Sequence, residues 1–213
     1  MTRTLYFIRH GETDWNLERR MQGRWESDLT AKGERQAEAN ADLVARLGVD
    51  AIYVSPLRRT RRSCACLEAA TGIGAAVDER LAEWDAGAWS GFLYAEIPER
   101  WPEAWAAWRA DMWNARAPDG ENFVDLTERG SAFLDKALAT TAGRIAIVSH
   151  GFIGRAMIGA LLGLPADRTL ALHTANEVVF RLTGTEAGWS ADRFEAGAGP
   201  KAGLFDAEPG SLA

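Results

Sequence analysis

The chain has 213 residues, 47% of them hydrophobic, and a formal net charge of −6 at pH 7. That length suits one ordinary domain with a sizeable core, and the negative balance argues against nucleic acid or an anionic membrane as a partner. No apolar run is long enough to cross a bilayer. The two cysteines, Cys64 and Cys66, lie two apart on a predicted helix and point in different directions. They suit a reducing, cytoplasmic compartment, and a first strand that begins by residue 4 leaves no room for a signal peptide.

The first predicted element is a buried strand, Thr4 to Ile8, that stops abruptly at Arg9-His10-Gly11. Ligands of open α/β sheets bind just beyond the carboxyl ends of such strands. Thr30 can cap a helix that runs to about Leu47, with Gly48 after its end and Ala37, Ala41 and Val44 on its buried side. A short strand, Ala51 to Val54, then turns through Ser55-Pro56 into a helix whose Leu57, Thr60, Cys64 and Leu67 face the sheet. Arg59 opens this helix near the strand end, while Arg58, Arg61 and Arg62 read as solvated. A strand is expected near Ala76 to Leu81.

The segment from Trp84 to Trp113 holds six of the nine tryptophans. Trp101, Trp105, Trp108 and Met112 follow a 4-3-4 spacing and form one stripe of a helix. Two roles stand open for it: packing onto the core, or roofing a pocket as a lid over residues 92–119. Arg100, Arg109 and Arg116 either meet an acidic substrate or face solvent. Asp125 to Ala139 reads as a helix, and Arg144 to Ser149 as a second buried strand ending in His150-Gly151, followed by a helical run from Phe152 to Leu162. Two of the three histidines thus end strands in the same way. Adjacent parallel strands place such ends side by side. Glu177 to Leu182 and Trp189 to Phe194 suggest an antiparallel pair at an edge. From Gly197 to residue 213 the Gly, Ala and Pro content predicts a loosely ordered tail. The expectation is a single domain, residues 1–196, with a three-layer α/β/α fold and a mostly parallel sheet carrying an antiparallel edge strand.

Six segments resemble, in order, the histidine phosphatase superfamily, the group that includes cofactor-dependent phosphoglycerate mutases and many small phosphatases. They are Arg9-His10-Gly11-Glu12-Thr13 with Trp15-Asn16; Gln22-Gly23 with Leu29-Thr30, Gly33 and Gln36-Ala37; Ser55-Pro56-Leu57-Arg58-Arg59; Leu81 to Gly91; Gly120-Glu121-Asn122; and Ser149-His150-Gly151. The resemblance covers about residues 4 to 182. The family often has Asp-x-Pro-Leu-Thr where this chain has Glu26-Ser27-Asp28-Leu29-Thr30, and serine where it has Asn122.

Phosphoryl transfer needs positive donors around three oxygens and a nucleophile in line with the leaving oxygen. Neutral imidazole is a capable nucleophile near pH 7, and neighbouring arginines should keep His10 neutral. The resemblance implies that His10 is phosphorylated on one ring nitrogen while a backbone carbonyl holds the other. Arg9 and Arg59 are expected to grip the oxygens, with His150 adding charge. Asn16 and Gln22 are expected to donate amide hydrogen bonds, and Gly151 is placed with them among the substrate-binding positions. Glu83 is the candidate for protonating the leaving group and then activating water. Asp85, two residues on, is its rival, and the family match favours Glu83. Glu12 receives a supporting role through a backbone hydrogen bond. No metal or other cofactor is expected, since the arginines would oppose a divalent cation and no His-Glu-x-x-His or Cys-x-x-Cys pattern occurs.

The favoured function is hydrolysis of a small phosphorylated metabolite. A phosphoglycerate mutase is the alternative, weakened because only Phe92 to Asp119 separate the acid motif from Gly120, and tryptophan rather than lysine dominates there. A non-catalytic phosphate-binding protein is the third, weakened because binding alone needs no proton donor. Natural substrate and oligomeric state are left open.

Overall fold

A computed structural model describes residues 2–205. In chain order its elements are β1 (Arg3–Arg9), α1 (Asp14–Leu17), α2 (Ala31–Leu47), β2 (Ala51–Val54), α3 (Arg58–Thr71), β3 (Ala76–Val77), α4 (Ile97–Arg100), α5 (Pro102–Ala110), α6 (Phe123–Leu138), β4 (Arg144–Ser149), α7 (Gly151–Leu162), α8 (Ala166–Leu170), β5 (Val178–Thr185), β6 (Gly188–Glu195) and β7 (Ala198–Ala202). The strands form one sheet in the order β3-β2-β4-β1-β5-β6-β7. β1 to β4 pair in parallel, and β5 to β7 add antiparallel at one edge.

The strands alternate, and the alternation makes three layers. Leu5, Phe7, Tyr53, Ile145 and Ile147 face a core shared with α6, α7 and the tryptophans. Tyr6, Ile8, Ile52, Val54, Ala146 and Val148 face a second core shared with α2 and α3. α2 forms where the cap signals place it: the Thr30 hydroxyl accepts from Gly33 N–H, and Gly48 closes the helix with φ 82°.

Two expectations change. The strand near residues 76 to 81 is only Ala76–Val77, because Asp78 caps a tight turn over Glu79–Leu81. The predicted tail supplies β7, which pairs with β6 through residues 198 to 202 and covers what would otherwise be the sheet's open edge. Backbone pairing, rather than side-chain burial, holds that strand, so composition concealed it; residues 206–213 lie outside the described residues. The tryptophan stripe serves the core: Trp108 is buried, and Trp101, Trp105 and Met112 pack against the same cluster. Among the described residues no helix is long and apolar enough to cross a membrane.

The turn after β1 runs backbone to backbone against the start of α2. A Cβ on Gly11 would fall 2.0 Å from the Gly33 carbonyl oxygen, and one on Gly33 would fall 2.0 Å from the Glu12 carbonyl oxygen. Neither neighbour is a flexible side chain that can swing away. Gly33→Ala is therefore expected to destabilise the fold by about 3 kcal/mol, the upper part of the overpacking range. Urea unfolding measures this, and an unchanged midpoint would contradict the contact.

Candidate active site

Register alone brings the two histidines together. Arg9 of β1 pairs with Ser149 of β4, and His10 N–H donates to the Ser149 carbonyl at 3.1 Å. The next residue on each strand is a histidine, and the two rings lie 5.1 Å apart at 64°. β2 ends beside them: Ser55 N–H donates to the Val148 carbonyl, and Ser55 Oγ meets His150 Nε2 at 2.7 Å.

The His10 ring is held at both nitrogens. Nδ1 faces the Gly11 carbonyl at 2.7 Å, and Arg59 Nε donates to Nε2 at 3.3 Å. A carbonyl can only accept, so Nδ1 carries the ring proton and Nε2 presents a lone pair. Burial, then the charges of Arg59 and Arg9, push the His10 pKa well below its ordinary 6.5. His150 is pushed the same way by burial and then by Arg59.

The two rings are accordingly expected to weaken the fold in acid. The unfolded chain takes up their protons near 6.5, the folded chain only well below it. Stability is thus intact above that pH and falls as pH drops below it, by up to about 1.4 kcal/mol per pH unit for each ring. Melting temperatures followed downward from neutral pH test this. A His10→Gln, His150→Gln double variant should show a flatter fall, and equal slopes would refute neutral rings.

Arg59 reaches the site from the first turn of α3. It also donates to the carbonyls of Trp25 and Gly23, each at 2.8 Å, and burial lowers its pKa to about 10, leaving it charged. Arg9 donates to the Thr174 carbonyl at 2.9 Å, and its buried Nε has no partner. Thr13 caps α1 and holds the Asn16 carboxamide oxygen, which frees the Asn16 NH₂.

Glu83 follows the Glu79–Leu81 turn. Its Oε1 accepts from the N–H groups of Trp84 (2.9 Å) and Ile153 (3.2 Å), its Oε2 from that of Phe152 (3.3 Å). The carboxylate therefore sits on the N-terminus of α7, where negative charge is favoured. A Cβ on Gly151 would lie 3.7 Å from Glu83 Oε2 and 3.7 Å from Arg9 Cζ, so any larger side chain would crowd both.

Arg9, His10, Asn16, Gln22, Arg59, Glu83 and Gly151 line one cavity of about 730 Å³. His150 is not in that lining; it borders a void of about 20 Å³ behind it, with Arg9. The cavity is walled further by Trp15, Trp84, Leu93, Tyr94 and Phe152. Among the described residues no group of three or more metal-binding side chains occurs.

The histidine phosphatase superfamily (branch 1) model matches residues 5–196. The chain belongs to that superfamily. Its members are phosphatases and mutases, and its relatives carry both names. A probable phosphoglycerate mutase, GpmB, from Klebsiella pneumoniae is 37% identical over 192 residues, covering 88% of this chain and 87% of the relative. The mycobacterial glucosyl-3-phosphoglycerate phosphatase, solved with VO3, superposes with a TM-score of 0.82 at 33% identity, covering 91% of this chain and 98% of that one. A putative alpha-ribazole-5'-P phosphatase from Escherichia coli shares the fold, with a TM-score of 0.85 at 22% identity over 93% of this chain and 99% of its own.

Several details of this histidine phosphatase differ from sequence expectation. The Gln22 amide donates one N–H to Thr13 at 2.8 Å, so besides lining the cavity it supports the Thr13–Asn16 pair, which the sequence did not suggest. Glu12 accepts from the Thr30 hydroxyl and Lys32, not from backbone, and so ties the post-β1 turn to α2. Asp85 is outside the cavity lining and accepts from Gly87 N–H. Arg116 pairs with Asp125, and Arg100 stacks over Phe92. Neither they nor Arg109 line the cavity.

Sequence reasoning missed three supports. Ser55 orients His150. Asn176 donates to the His10 carbonyl at 2.6 Å and is itself held by Asn40. Arg129 donates to the carbonyls of Arg80, Ala82 and Glu83 and pairs with Glu121, fixing the loop that carries the acid. Only Ser55 had a signal, its place at a strand end.

Proposed function

We propose that the protein is a phosphomonoesterase that hydrolyses small phosphate esters through a phosphohistidine at His10. The observation that carries this reading is the His10 ring, with Nδ1 bonded to a carbonyl and Nε2 presented as a lone pair among Arg9 and Arg59.

In the first step Nε2 attacks phosphorus, and the bond to the ester oxygen breaks. The spare N–H groups of Arg9, Arg59 and Asn16 take up charge on the three phosphoryl oxygens. Arg59 Nε gives up its contact with Nε2 as the N–P bond forms. Glu83 is the group placed to pass a proton to the departing alkoxide. In the second step the Glu83 carboxylate takes a proton from water, the oxygen attacks phosphorus, the N–P bond breaks, and inorganic phosphate leaves. His150 does not add charge as the sequence suggested: burial and Arg59 keep it neutral, and, held by Ser55, it packs against the His10 ring. The arginines supply the positive charge, so the reaction needs no metal, and activity should persist in excess chelator. The natural setting we assign is the cytoplasm.

The name of the GpmB relatives supports a second reading, a phosphoglycerate mutase, which shares the first half-reaction. A cavity of about 730 Å³ exceeds the needs of a three-carbon acid and favours a larger leaving group. Phosphate release from a panel of phosphorylated metabolites, run beside conversion of 3- to 2-phosphoglycerate, separates the two. Efficient isomerisation without phosphate release would overturn the phosphatase reading.

A further inference from the structure

We infer that Arg155 is a specificity-determining residue that binds a second anionic group, carboxylate or phosphate, on the leaving-group side of the substrate. This deepens the phosphatase reading and rests on it.

Arg155 lies four residues after Gly151 on α7, so both project from the same helix face, and both line the cavity. Four other arginines line it, and each is engaged or exposed. Arg9 and Arg59 serve the phosphoryl position, Arg20 pairs with Glu18 at 2.8 Å, and Arg19 is exposed. Arg155 differs. Among the described residues no carboxylate pairs with it, and its Nε is buried with no hydrogen-bond partner. Among the described residues its only hydrogen bond is a long one, from Nη1 to the Leu170 carbonyl at 3.4 Å. Its guanidinium lies 5.3 Å from the centroid of Phe152, another cavity wall.

The groups whose charge reaches it are Arg9, which repels it, and Glu83, which attracts it; burial raises the Tyr94 pKa, so that phenol is neutral. Glu83 is fixed by backbone N–H groups on α7 and is needed for the proton. Arg155 is half-buried and its Nε is shielded from water, so leaving its charge without a paired anion is costly. Nη2 and the spare Nη1 hydrogen are unused among the described residues, and a guanidinium edge of this kind suits a planar carboxylate or a phosphate. Apolar walls from Trp84, Leu93, Tyr94 and Phe152 leave room for the carbon body between the two anions.

The test uses straight-chain phosphate monoesters of three to six carbons ending in carboxylate, in a second phosphate, or in a primary amide as the neutral control. The amide esters also report whether the enzyme is a phosphatase at all. If wild type releases phosphate neither from this series nor from an aryl phosphate, the phosphatase reading fails. If it acts on the amides, the present inference is tested separately. At the best chain length wild type should prefer an anionic end over the amide by on the order of 10–100-fold in kcat/KM, mostly through KM. The carboxylate and bisphosphate arms identify which anion is taken. Arg155→Met should bring the preference to about 1, and Arg155→Lys should restore part of it. No preference in wild type at any chain length, or the same preference in Arg155→Met, would overturn the assignment. The amide rate of each variant shows that it is folded.

Discussion

Replacing His10 with alanine is expected to abolish turnover and covalent labelling together. The ring is the one group in the cavity with a lone pair aimed between Arg9 and Arg59, and both of its nitrogens are held. Deleting the nucleophile of a covalent mechanism costs on the order of 10⁶-fold in kcat. Alanine removes it without adding bulk at a buried site. Brief incubation with a radiolabelled aryl phosphate and rapid quench should give a wild-type adduct that is labile in acid and stable in base, as a phosphoramidate is. A labelled His10→Ala protein, or an acid-stable adduct in wild type, would place the nucleophile elsewhere. Asn176→Ala, which frees the His10 carbonyl without touching the ring, should slow labelling but keep its chemistry.

Glu83→Gln carries the second large effect. Three backbone N–H groups fix the carboxylate, and it lines the same cavity as His10. General acid catalysis is worth about 10²–10⁴-fold, and more of it is needed as the leaving group becomes more basic. Alkyl phosphates depart as strongly basic alkoxides, nitrophenyl phosphate as a stabilised phenolate. Glu83→Gln should therefore lose on that order with alkyl esters and markedly less with nitrophenyl phosphate in the phosphorylation step. The burst of nitrophenol isolates that step from the later activation of water. Equal losses for both substrates, or a leaving-group-dependent loss in Asp85→Asn instead, would move the acid away from Glu83.

Much of this site was legible because its parts sit at strand ends and helix starts, where the sequence changes character abruptly. β1 and β4 each end in His-Gly, and the parallel register turns that repetition into two neighbouring rings. Arg59 was separable from Arg58, Arg61 and Arg62 because it opens the helix near the strand end, where it is buried. The supports were less visible. Asn176 and Thr174 come from a loop far along the chain, with no periodic pattern to show where their atoms arrive. Arg155 lies within the helical run from Phe152 to Leu162, and nothing in its sequence context marks it. Glu12 was placed near the right groups with the wrong contact, since a residue type fixes what a side chain can bond but not which neighbour it meets. β7 left no trace because its side chains are all exposed.

The 2.7 Å contact between His10 Nδ1 and the Gly11 carbonyl decides more than orientation. It selects a regioisomer. With Nδ1 protonated and turned to the main chain, the phosphoryl group is delivered to the τ nitrogen alone, and the π isomer is closed off by the protein's own backbone. An isomer-selective antibody raised against τ-phosphohistidine should thus recognise the trapped enzyme while its π counterpart stays blind to it.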